Sequence, residues 1–174
     1  MTDKRKLASL LTEAWEMERK TIDILEARAD RIRNHPGVVE RFKKHLKESS
    51  WQIAQLETCL KQLGFDGPLH EGSAIAEVGA LLASGDVIRS STANSAFERF
   101  EMAVYSRLGE MAKQSGEHEI ARICYTIMRQ EEFMAEWLEE HLAQTPLVYL
   151  MFDEIDTTVG EDDTGPHVAA GPLH

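Results

Sequence analysis

TANSAFERFEMAVYSRLGEMAKQSGEHEIARICYTIMRQEEFMAEWLEEHLA, residues 92–143, is the stretch that decides the fold. Phe97, Phe100, Val104, Leu108 and Met111 recur at three- and four-residue steps, the period of one helix face, and predict a helix from about Thr92 to Ser115. Gly116 stops it. Ile120, Ile123, Cys124, Ile127, Glu131, Met134, Leu138 and Leu142 repeat the period and predict a second helix from about Glu117 to Ala143, closed by Thr145-Pro146. So short a break leaves the two helices antiparallel. Residues equidistant from Gly116 then share a height, which sets Glu101 beside Glu131.

Upstream, a second hairpin follows the same rules. Leu7, Leu10, Leu11, Ala14, Glu18, Thr21, Ile22, Leu25, Ala29 and Ile32 mark one face of a helix from about Asp3 to Arg33. Asn34-His35-Pro36-Gly37 breaks it, and Pro36 suits the first turn of the next helix, where its missing N–H would have had no partner. That helix runs to about Leu63 on Val38, Phe42, His45, Ser49, Ile53, Leu56, Leu60 and Leu63, and Gly64, Gly67 and Pro68 end it. From Leu69 to Ser91 only Ala74-Ile75 and Val78 to Ala83 suggest a short helix. Two hairpins joined by a long connection predict an all-α, ferritin-like four-helix bundle with a short fifth helix in the crossover. The bundle is expected over residues 1–146, with an acidic, Gly/Pro-containing tail over 147–174 that has no core of its own.

Composition narrows the partners. At 174 residues and 43% hydrophobic, the chain suits one domain with a real core. A formal charge of −11 argues against nucleic acid and anionic lipid, which need clustered Lys and Arg, although Asp153, Glu154, Asp156, Glu161, Asp162 and Asp163 concentrate much of it in the tail. No run approaches the roughly 20 apolar residues of a membrane span. Thr12, Glu13 and Glu16 interrupt the leucines of the N-terminus before a signal core forms, so a cytoplasmic chain is expected. Cys59 and Cys124 fall on apolar helix faces and are expected in the core rather than in a disulfide.

The chemistry is carried by polar residues that interrupt apolar faces, because a buried carboxylate without a partner is costly and a cation offsets that cost. Glu18 lies in the centre of the Leu11, Ile22, Leu25 stripe; Glu131 is as central, and Glu101 shares the face of Phe97, Val104 and Leu108. The turn near Asn34 brings Glu18 level with residues 48–52 of the second helix, on which His45, Ser49 and Gln52 project along the inner face and Glu48 stands at its border. Glu18, His45, Glu48, Glu101 and Glu131 are therefore the candidate ligands of an oxygen-rich iron or manganese centre. His45 reads either as a ligand or as a hydrogen-bonded core histidine. Glu98, Glu132 and Glu136 project away from the stripe centres and read as solvated or supporting residues, and Trp15, Trp51, Trp137 and Tyr105 as packing.

At these residues the sequence resembles the YciE/YciF-type ferritin-like family of bacterial stress-associated proteins, over roughly Leu10 to Leu142. The likeness rests on Trp15-Glu16-Met17-Glu18, on His45-Leu46-Lys47-Glu48-Ser49-Ser50-Trp51-Gln52, on Phe97-Glu98-Arg99-Phe100-Glu101-Met102-Ala103-Val104-Tyr105 and on Gln130-Glu131-Glu132. It implies four long helices and a short one, a homodimer, and a carboxylate-rich centre that binds metal in at least some members. Arg99 stands where that family often has His, and Ala135 where it has an acidic residue. No Glu-x-x-His pair lies on an inner face, unlike in ferritins and their oxidase relatives. The expected function is a metal-binding bundle with a di-iron- or manganese-type centre in stress response, any catalysis being redox chemistry on ferrous iron or peroxide. A metal-free structural or stress-interaction bundle is the alternative.

Overall fold

Asp3–Ala29 (α1), Pro36–Gln62 (α2), Ser91–Gln114 (α3) and His118–Leu142 (α4) form four helices in the computed structural model, which describes residues 3–29, 36–69 and 91–142. The helix boundaries follow the breakers. Pro36 opens α2, as its fixed φ and absent N–H favour. At the other end Gly64 takes φ 90°, and the Phe65 and Gly64 amides close onto the Leu60 and Lys61 carbonyls at 3.0 Å each. Gly116 repeats the device at φ 78°, with the Glu117 amide on the Ala112 carbonyl at 2.9 Å. Both are glycine caps that satisfy carbonyls a helix end would leave unpaired.

Space for a Cβ exists at Gly116, so its φ alone makes it glycine. Gly116→Ala is expected to lower stability by about 1–2 kcal/mol, the cost of a left-handed L residue. Gly67→Ala, equally open and without a positive φ, is expected to change it little. Equal denaturation midpoints for the two variants would remove this account of the turn.

The helices pair as two antiparallel hairpins, α1 with α2 and α3 with α4. Across them, Gln62 meets Glu117 near the Gly64 end and Gln52 meets Glu131 further along, so α2 and α4 also run antiparallel. α2 therefore ends, and α3 begins, at opposite ends of the bundle, as the crossover reading requires. Its expected short helix lies outside the described residues, as does the expected tail over 147–174. Among the described residues no helix is long and apolar enough to cross a membrane.

Among the described residues two apolar clusters fill the interior. The larger gathers Leu7 to Met17 of α1, Leu56 to Leu60 of α2, Tyr105 to Ala112 of α3 and Ile120 to Ile127 of α4, with both Cys59 and Cys124 inside it as free thiols. The smaller joins Leu25, Phe42, Met134 and Leu138. Between them, at the same height on all four helices, lies a layer of buried polar side chains: Glu18 and Thr21, His45, Ser49 and Gln52, Glu98 and Glu101, and Glu131.

Candidate metal centre

Each helix delivers its polar residues to that layer because they occupy heptad-like positions within an otherwise apolar face. Glu18, His45, Gln52, Glu101 and Glu131 are all at most 1% exposed, so the inward placement expected from periodicity holds for each. Hydrophobic packing above and below fixes the height of the layer, and water has little access to it.

His45 sits at the junction. Its Nε2 lies 3.3 Å from Glu98 Oε2 and 3.6 Å from Glu131 Oε2, and suitable ligand atoms of these three residues all fall within 4.8 Å of one another. Donors around one first-row ion at about 2.1 Å stand about 3.0 Å apart in neighbouring positions and about 4.2 Å apart in opposite ones, so the spacing suits a cation. The remaining carboxylates surround this trio. Tyr105 donates from its hydroxyl to Glu18 Oε1 at 2.6 Å, and Thr21 donates to Glu101 Oε1 at 2.9 Å. Gln52 donates to Glu131 Oε1 and, at 3.1 Å, to Gln130 Oε1.

What these bonds leave over is informative. Glu98 Oε2, Glu101 Oε2, Glu131 Oε2 and His45 Nε2 are all buried without a hydrogen-bond partner; the His45–Glu98 and His45–Glu131 approaches are contacts of charge rather than aligned hydrogen bonds. Buried polar atoms almost always find partners, so four unsatisfied ligand-type atoms in one layer fit a cation well.

The electrostatics agree. Burial raises Glu18 to about 7, against the Tyr105 hydrogen bond and the His45 charge, which lower it. Burial, then the charges of Glu18, Glu131 and Glu98, hold Glu101 well above the carboxylate range. Glu131 is likewise pushed up by burial, with His45 opposing. For His45 burial favours the neutral ring, but the Glu98 and Glu131 carboxylates outweigh it and carry its pKa well above the imidazole range. Without a cation, protons do the work of neutralising the layer.

Glu48 keeps the border position its spacing gives it, but not a place among the ligands. It is only partly buried and faces His45 from the far side, with Oε2 3.3 Å from Nδ1, so it stands behind the histidine rather than among the converging oxygens. Glu98 is the correction in the other direction: 4% exposed, it is a member of the central trio and not a solvated residue. Tyr105 also does more than pack, since its hydroxyl serves Glu18. Glu132 and Glu136 stay at the surface side, Glu132 paired with Arg129 at 2.6 Å. Arg99 points outward to Glu139 through two 2.8 Å hydrogen bonds, and Ala135 is fully buried, so neither of these positions supplies a ligand.

Comparison with known proteins matches this chain to one family and one fold. The family model described as "Domain of unknown function (DUF892)" matches residues 2–150. A solved protein from Xanthomonas campestris pv. campestris is 31% identical, with 88% of this chain and 99% of that one covered and a TM-score of 0.70. YcfI of Rhodopseudomonas palustris is 20% identical over 80% of this chain and 94% of that one, with a TM-score of 0.68, a likeness of fold.

Proposed function

We propose that this chain, which belongs to the DUF892 family, is a metal-binding bundle whose polar layer holds iron or manganese. The observation that carries this reading is the group of unsatisfied buried atoms, Glu98 Oε2, Glu101 Oε2, Glu131 Oε2 and His45 Nε2, enclosed between two apolar clusters. His45, Glu98 and Glu131 would hold an ion directly, with Glu101 and Glu18 as further carboxylates for it or for a second ion. One nitrogen among several carboxylate oxygens suits manganese or ferrous iron better than the thiolate-rich sites of structural zinc. Such an ion would supply one-electron redox chemistry, and the resemblance to YciE/YciF-type ferritin-like proteins supports ferrous iron or peroxide as the substrate, a role in stress response and a homodimer. The chain's own part is to exclude water, to orient His45 and to keep Glu18 and Glu101 in place through Tyr105 and Thr21.

Elemental analysis tests this directly. Protein purified from cells grown with iron and manganese is expected to carry one of them, and a Glu98→Ala variant to carry far less. Unmodified protein with neither metal would sink the reading.

A second reading, a metal-free structural or stress-interaction bundle, is favoured by one observation: Ala135 stands fully buried one turn after Glu131, where the resembled family has an acidic residue, and offers no ligand. On that reading the unmodified chain and Glu98→Ala are equally free of metal, and added Mn²⁺ leaves the melting temperature of both unchanged.

A further inference from the structure

Among the described residues, Arg41 is a buried charged residue that neither the fold nor the ligand set accounts for. It is 7% exposed, its Nε and Nη2 are buried without partners, and its Nη1 donates to Glu48 Oε2 at 3.0 Å. The same oxygen lies 3.3 Å from His45 Nδ1. Arg41, His45 and Glu48 occupy positions i, i+4 and i+7 of α2, one face of one rigid helix, so the three are pre-aligned without help from any loop. On its other side the guanidinium lies 5.1 Å over the exposed ring of Phe133.

Burying a guanidinium with two idle donors is a poor way to stabilise a bundle, and an apolar side chain of similar length would cover Phe133 at lower cost. What an apolar side chain would not do is donate to Glu48 Oε2, as Arg41 Nη1 does at 3.0 Å, and hold that oxygen beside His45 Nδ1.

Resting on the metal-binding reading above, we propose that Arg41 is a positioning residue for the metal centre, acting through Glu48. The Arg41 charge keeps Glu48 Oε2 in place as the acceptor of the His45 Nδ1–H. That bond selects the tautomer whose Nε2 lone pair faces Glu98 and Glu131, and it fixes the ring plane. Metal-bound histidines characteristically give their second N–H to such a partner. Arg41 itself touches neither the ion nor its ligand atoms.

The test is a titration of the full chain with Co²⁺ alone, followed by visible absorption, for the parent and for R41M, R41K, E48A and the R41M/E48A pair. Methionine keeps the packing on Phe133 and removes the charge, whereas lysine keeps the charge. The metal-free helicity and melting of each variant report folding separately. E48A and R41M are expected to bind Co²⁺ about 10–100-fold more weakly and to shift its ligand-field bands. R41K should recover part of both, and the pair should be no weaker than E48A alone, because Arg41 acts only through Glu48. A parent that binds Co²⁺ and an R41M that matches it in affinity and spectrum would overturn this proposal alone, as would additive losses in the pair. A parent that takes up no Co²⁺ would overturn the metal reading first.

Discussion

Glu101→Gln is expected to give a metal-free protein that melts higher than the parent at pH 8, and a protein that has lost most of its response to metal. Glutamine is nearly isosteric and its carbonyl still accepts from Thr21, which donates to Glu101 at 2.9 Å. What disappears is a carboxylate held well above its ordinary pKa by burial, Glu18, Glu131 and Glu98. A carboxyl raised on folding contributes stability that is fully present below its unfolded pKa and is lost as pH rises through the folded value. The parent therefore gives up stability between about pH 4.5 and neutral or alkaline pH that the glutamine variant keeps, on the order of 1–4 kcal/mol by analogy with replaced buried ions. With Mn²⁺ present the order should reverse, since the amide cannot supply an anionic oxygen. Thermal melts of both proteins at pH 5.5 and 8, with and without Mn²⁺, make the comparison; a variant less stable than the parent in the metal-free melt at pH 8 would contradict it.

The second large effect is the pH dependence of metal stabilisation itself. Burial raises Glu18 to about 7, and burial likewise holds Glu101 and Glu131 well above the carboxylate range, so each must shed its proton before it ligates. His45, also raised, must become neutral at Nε2. All these shifts have the same sign, and the metal-free protein is expected to be most stable in mild acid and to weaken as pH rises through 7. Metal replaces the protons that are lost. At 100 times its Kd a ligand adds about 2.7 kcal/mol, which for a chain of this size corresponds to about 5–11 °C in Tm. The Mn²⁺-induced rise should approach that value at pH 8 and shrink markedly at pH 5.5, and calorimetry in buffers of different ionisation enthalpy should register proton release. A rise independent of pH would mean that the ion binds elsewhere.

Much of the bundle is legible in the sequence because hydrophobic period and glycine breakers are local signals. Gly116, Gly64 and Pro36 each act where the chain places them. The symmetric spacing of Glu101 and Glu131 about Gly116 puts both in the same buried layer. The site is harder to read, because a helix in a four-helix bundle faces more than one neighbour. Glu98 lies three residues before Glu101, about 60° around the helix. Glu101 turns toward Thr21 of α1 while Glu98 turns toward His45 of α2, and both angles are interior. A single stripe centre therefore hides Glu98, whereas the pair Glu98-x-x-Glu101, taken as one face, reveals it. Glu48 errs for the converse reason: it is near the inner face in projection, but its carboxylate goes to Nδ1 and Arg41 instead of inward. Periodicity fixes the angle of a side chain and not the direction of its terminal atoms, and the role of Tyr105 was hidden by the same limit.

An anomalous diffraction map from crystals of the full chain loaded with Mn²⁺, or with Fe²⁺ under anaerobic conditions, tests the central claim most directly. The polar layer is expected to show a peak at bonding distance from His45 Nε2, Glu98 and Glu131, with Glu48 on the opposite nitrogen of the ring. A map with no peak in that layer at saturating metal, and His45 still in contact with Glu98 and Glu131, would contradict it.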